Sequence, residues 1–235
     1  MIKFLLPSNI YLFLEKIIKF INSIFFLILI IGLVFALILS PPDYIQGDAV
    51  RIMYVHVPSA WLGLACFSFI ALLSILNFIF KIKNFYIINK SIAPIGLLFT
   101  SMAVITGSLW GQPTWGTWWA WDARLTSMII LMFFYILYIL SFKLIKKENV
   151  VLKISSFLAI IGSINLVIIK YSVDWWPTLH QPASLKIGNS SSIHPSMMLP
   201  LMLMLLVLLL YGALIFLMKY KTEIIRMKKK NIKRL

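Results

Sequence analysis

Long apolar runs separated by short polar intervals dominate this chain. Six of them are long enough to cross a hydrocarbon layer of about 30 Å as helices rising about 1.5 Å per residue. They fall near residues 20–40, 58–80, 91–110, 125–145, 151–169 and 197–218. The pattern predicts an all-α integral membrane protein. Its single polytopic domain, residues 1–235, forms a bundle of six transmembrane helices, with a functional site carried by short external helices and loops. The first run has the length of the others and lacks a small-residue cleavage site, so it is expected to be a retained span and not a signal peptide. Composition agrees: 61% of residues are hydrophobic and 12% charged, with a mean hydropathy of +0.96. A soluble domain could not hide that much apolar surface.

Charge adds sidedness. The termini and the intervals at 81–90 and 143–153 carry all of the 22 basic residues except Arg51, Arg124, Lys170 and Lys186. Basic residues concentrate on the cytoplasmic side of membrane proteins. Both termini are therefore expected in the cytoplasm (or matrix), and the intervals at 41–57, 111–124 and 170–196 outside. The net charge of +15 then calls for no nucleic acid. The basic tail, residues 219–235, reads as a cytoplasmic segment lying near anionic lipid in the bilayer.

The external intervals hold the unusual residues. Residues 110–124, WGQPTWGTWWAWDAR, place five of the eight tryptophans within twelve positions. Gly111, Pro113 and Gly116 punctuate the backbone, the glycines allowing turns and close approach to a ligand. If a short helix forms over 114–124, steps of about 100° gather Trp115, Trp118, Trp119 and Trp121 into a fan about 160° wide, with Asp122 inside it. Indoles also favour the headgroup level of a bilayer. Interfacial belts are sparse, however, and a carboxylate is out of place on a lipid-facing surface. A platform for a flat apolar ligand, including Trp110, accounts for the cluster better. Asp122 could equally cap the next helix. Arg124 could pair with Asp122 or hold an anionic substituent of the ligand, and Arg51 is a further candidate for that contact.

All three histidines lie at this same side. His56 sits in YVHVPSAW, His180 in DWWPTLHQPAS beside Trp175 and Trp176, and His194 in SIHPSM before the last run. The neighbouring prolines suit helix starts. Histidines beside a wall of indoles suggest an iron porphyrin, whose disc stacks on aromatic faces and whose iron takes imidazole as an axial ligand. Zinc is the rival, but it wants three or four ligands. The lone Cys66 lies in an apolar run, and no Cys-x-x-Cys-His is present to attach haem covalently. A phosphate-binding GxxxxGK[ST] loop is likewise missing from the sequence, as is any nucleophile or acid–base pair marking an enzyme.

The run WGQPTWGTWWAWDARLTS resembles the tryptophan-rich "WWD" signature of haem-handling proteins of cytochrome c maturation. Together with YVHVP and DWWPTLHQPAS, it is similar to the haem exporter protein C family, over about residues 42–200. The resemblance implies that the WWD loop binds haem b as a transported ligand on the outer face. By motif it makes His56 and His180 the axial ligands, with His194 ranked below them. It also implies delivery to a membrane-anchored haem chaperone, and partner subunits of an ATP-binding-cassette transporter complex. No span interior contains histidine, so the chain is expected to collect and present haem at the outer leaflet. Two rival classes stay open, a haem permease proper and a b-type transmembrane redox protein. The Lys-, Ile- and Asn-rich bias points to a bacterial inner membrane or, alternatively, a mitochondrial one.

Overall fold

The structure is a computed structural model that describes residues 7–80, 82–180 and 193–232. Lys3, Lys81, Lys233 and Arg234 of the charge argument lie outside the described residues, as do Lys186 and the QPAS of the second histidine motif. The chain forms α1 (Pro7–Val34), prolonged by a π-helical turn at Phe35–Leu39, then α2 (Met53–Phe80), preceded by a 3₁₀ turn at Asp48–Ile52. There follow α3 (Lys83–Trp115), α4 (Ala123–Leu144), α5 (Glu148–Trp175) and α6 (Pro195–Ile232). Each of the six contains a stretch long and apolar enough to cross a membrane. In lipid a helix satisfies every interior backbone group by itself, which is why apolar runs of this length resolve into helices. The expected all-α membrane class is the class observed.

The α2–α3 hairpin is the centre of the bundle. α4 and α5 pack together on one side of it, and α6, with α1 outside it, packs on the other. Close approach at the centre depends on small residues. Tyr135 of α4 is fully buried and donates to the carbonyl of Gly63 on α2 at 2.7 Å. A Cβ at Gly96 of α3 would lie 2.1 Å from the same hydroxyl. One phenol thus pins three helices; Gly96 leaves room for it, and Gly63 leaves room for Thr100 of α3, from whose hydroxyl a Cβ would stand 2.7 Å. Gly96→Ala is expected to displace the ring and cost about 1–3 kcal/mol of overpacking. Tyr135→Phe should cost only about 1 kcal/mol, the scale of one interhelical hydrogen bond. Thermal denaturation of the detergent-solubilised variants checks the order; equal losses would contradict the steric account.

At the far end, Lys90 of α3 meets Glu223 of α6 at 2.6 Å, and Glu223 also holds Arg226 at 2.7 Å. The basic tail therefore continues α6 as helix to Ile232 and does not leave the bundle as an extended segment.

Two expectations about local structure are corrected. α2 begins at Met53, ahead of Pro58, so His56 lies in the first turn of a helix and not in a loop before it. The 3₁₀ turn feeding straight into α2 makes this possible, because Pro58 then falls where the chain is already helical. The second correction concerns the tryptophan stretch. α3 runs through Gly111 and Pro113 to Trp115, and no helix forms over 114–124. Pro113 disrupts only the last turn of α3, where Thr114 donates to the Trp110 carbonyl at 2.7 Å. Gly116 then stops the helix at φ 74°, the left-handed cap that glycine adopts without strain. Asp122, extended at φ −89°, caps α4. With a cap at each end, the residues between cannot be helical, and the expected fan of indoles is not formed.

Candidate functional site

A cavity of about 310 Å³ opens where the first turn of α2, the last turns of α3, the start of α4 and the segment after α5 converge. Small-molecule sites begin at about this size. Its walls include His56, His180, Trp110, Trp115, Trp119, Gln46 and Arg124, with Met53, Leu125, Met128 and Ile169 supplying apolar surface.

His56 is held tightly. Its Nδ1 donates to the Ala103 carbonyl at 2.9 Å, with the Thr106 hydroxyl at 3.3 Å from the same nitrogen. A carbonyl can only accept, so Nδ1 carries the proton and Nε2 keeps its lone pair. An imidazole oriented in this way is ready to ligate a metal. Gly107, one turn beyond Ala103 on α3, gives the ring its place: a Cβ there would stand 2.8 Å from the His56 ring. Trp110 meets the same ring edge-on at 5.7 Å and donates its indole N–H to Gln46 at 2.9 Å.

His180 faces His56 across the cavity, ring centroids 6.4 Å apart and tilted 38° to each other. Trp115 lies 6.2 Å from the His180 ring. Two metal–imidazole bonds of about 2 Å each leave about 4 Å between opposed nitrogens, and half a ring on either side accounts for the rest. The pair can therefore share one metal atom. Among the described residues no group of three or more His, Cys, Asp or Glu side chains gathers at one point. Two protein ligands are too few for zinc, but they are the number that a porphyrin iron leaves open.

Known proteins are similar to this chain over most of its length. The family model described as heme exporter protein C matches residues 1–234. The chain is 40% identical over 188 residues to the heme exporter protein C of Bradyrhizobium diazoefficiens, covering 80% of this chain and 72% of that one. It is 37% identical over 203 residues to the Escherichia coli K12 protein of the same name, covering 86% and 82%. A "putative cytochrome c biosynthesis ccmC-like mitochondrial protein" of Marchantia polymorpha is 43% identical over 164 residues, 70% of this chain and 69% of its own. The chain belongs to the haem exporter protein C family.

In this haem exporter protein C family member the five indoles of the WWD stretch divide. Trp110, Trp115 and Trp119 line the cavity, whereas Trp118 and Trp121 are 58% and 81% exposed and do not. The buried Trp119 N–H has no hydrogen-bond partner among the described residues. Arg124 lines the same cavity, so its wall offers both a cation and an unsatisfied donor to an anionic group. Arg124 is half-buried, and none of the three ion pairs among the described residues includes it. Arg51 instead pairs with Asp48 at 3.0 Å and is not in the cavity wall. Gly111 packs closely, since a Cβ there would stand 3.1 Å from both the Thr117 carbonyl and the Trp115 ring. Asp122 accepts from the Leu125 N–H at 2.8 Å and, with its other oxygen, from the Thr178 hydroxyl.

The remaining candidates lie off the cavity. His194 is exposed and caps α6, its Nδ1 2.8 Å from the Ser196 hydroxyl. Trp175 stacks on Tyr171 at 5.4 Å and meets Trp176 edge-on, both indoles exposed. Sequence reasoning missed Gln46, Ala103, Thr106, Gly107 and Thr178. Two of these omissions shared a visible signal: Ala103 and Gly107 make a small-xxx-small step that marks close helix approach.

Proposed function

We propose that this protein binds haem b on the outer face of the membrane and hands it to a membrane-anchored haem chaperone for c-type cytochrome biogenesis. The ATP-binding-cassette subunits of the complex hydrolyse the ATP. His56 and His180 take the two axial positions of the iron. Trp110, Trp115 and Trp119 stack on or against the porphyrin, and Arg124 with the Trp119 N–H receives a propionate. The observation that carries the reading is the His56–His180 pair, 6.4 Å apart in a cavity walled by indoles. A transmembrane redox role would call for histidines at both membrane faces, and here the facing pair lies at one end of the bundle. Purified protein mixed with haem should develop the Soret and visible bands of a six-coordinate, low-spin, bis-imidazole species. A spectrum no different from free haem in detergent would overturn the proposal.

The tryptophan end of the bundle is the outer one, by the distribution of basic residues. A reporter joined after residue 235 should be cytoplasmic, and one inserted near residue 189 external. Finding both on the same side would overturn the orientation.

A further inference from the structure

The carboxylate of Asp122 does two jobs that need both of its oxygens. Oδ1 accepts from the Leu125 N–H at 2.8 Å and so starts α4. Oδ2 accepts from the hydroxyl of Thr178, in the segment that follows α5. Thr178 Oγ1 accepts in turn from the backbone N–H of His180 at 3.1 Å. Two donors thus converge on Asp122 from different elements. A carboxylate can accept from both, whereas an asparagine can accept from only one of them and would have to turn an amide N–H toward the Thr178 oxygen, reversing that bond. Helix capping alone does not explain an aspartate here, because asparagine caps as well.

We propose that Asp122 is a positioning residue for His180, acting through Thr178, so that the tryptophan loop and the His180 segment move as one unit. The proposal rests on His180 ligating haem iron, as argued above. His56 is fixed through its own ring, by Ala103 and Gly107 on α3. For His180, the tie runs through the backbone to a loop that also bears the exposed Trp118 and Trp121. The loop cannot shift away from α5 without breaking the tie to the backbone of His180.

The test uses the full-length, haem-loaded protein and four variants: Asp122→Asn, Thr178→Val, Thr178→Ser and His180→Ala. Thr178→Val leaves the Asp122–Leu125 cap intact, so a loss of folding cannot stand in for a loss of ligand position. Hydrogen bonds to a charged group lie on a scale that corresponds to about ten- to a hundredfold in an equilibrium. Thr178→Val and Asp122→Asn should therefore raise the five-coordinate fraction and speed haem loss by about tenfold or more. Added imidazole should return the six-coordinate spectrum in both. Thr178→Ser, which keeps the hydroxyl, should match the parent protein. If His180→Ala alters the spectrum while Thr178→Val and Asp122→Asn do not, the tie has no positioning role and the proposal is overturned. If His180→Ala itself leaves the spectrum unchanged, the ligand assignment beneath it fails first.

Discussion

His56→Ala and His180→Ala should each convert the haem-loaded protein from a six-coordinate to a five-coordinate spectrum, and exogenous imidazole should partly reverse both. Each substitution removes an axial donor outright. Haem retention should therefore fall by more than the roughly 10–100-fold typical of losing an outer partner of a metal ligand. Rescue should be better at one position than the other. Removing the His56 ring leaves a slot bounded by the Ala103 carbonyl and the open face of Gly107, which free imidazole can refill with the same hydrogen bond. Indole variants should behave differently. Trp119→Ala removes apolar contact at about 25 cal/mol per Å² and should weaken retention by degrees, with the iron keeping both imidazoles. Trp118→Ala should do least, because Trp118 is outside the cavity wall. His194→Ala, at the α6 cap, should leave the spectrum unchanged. Optical spectra and haem-transfer rates to apomyoglobin check all five variants. A ligand-loss spectrum in His194→Ala alone would move the axial role there.

Gly107→Ala should lower haem affinity by about tenfold, and Gly107→Val should abolish it, in a protein that still folds. The new Cβ of alanine would stand 2.8 Å from Cε1 of His56. That is inside van der Waals contact, so the ring or the helix must shift. The ring cannot yield freely, because its Nδ1 is bonded to Ala103 on the same helix as Gly107. Overpacking of this kind costs about 1–3 kcal/mol, and about 1.4 kcal/mol is tenfold in affinity. Valine adds two methyl groups into the space the imidazole occupies. The check is haem titration alongside thermal denaturation. Normal affinity in Gly107→Val would mean that His56 does not need its observed place.

Much of the architecture was legible in the linear pattern because it is local. In lipid an apolar run must satisfy its own backbone, so run length translates into a helix without reference to neighbours. The six runs accordingly correspond to the six helices. Among the prolines and glycines of the tryptophan stretch, Gly116 takes a positive φ and ends α3. Gly111 and Pro113 lie within the last turns of α3, and Gly111 packs closely against Thr117 and Trp115 there. A proline so near a helix end loses little, and only the position of the cap decides which side of the boundary it falls on.

Within the site, the sequence by itself determined which residue types were at hand in the intervals between the apolar runs: five clustered indoles, three histidines and two arginines. Tertiary structure decided which of them meet. It set His56 opposite His180, separated Trp119 from Trp118 and left Arg124 at the cavity. It also gave Asp122 a second partner, 56 positions away on another element. These outcomes depend on contacts between helices far apart in the chain. Hydrophobic period records which face a helix buries, but not which neighbour's carbonyl, glycine or hydroxyl will be found there.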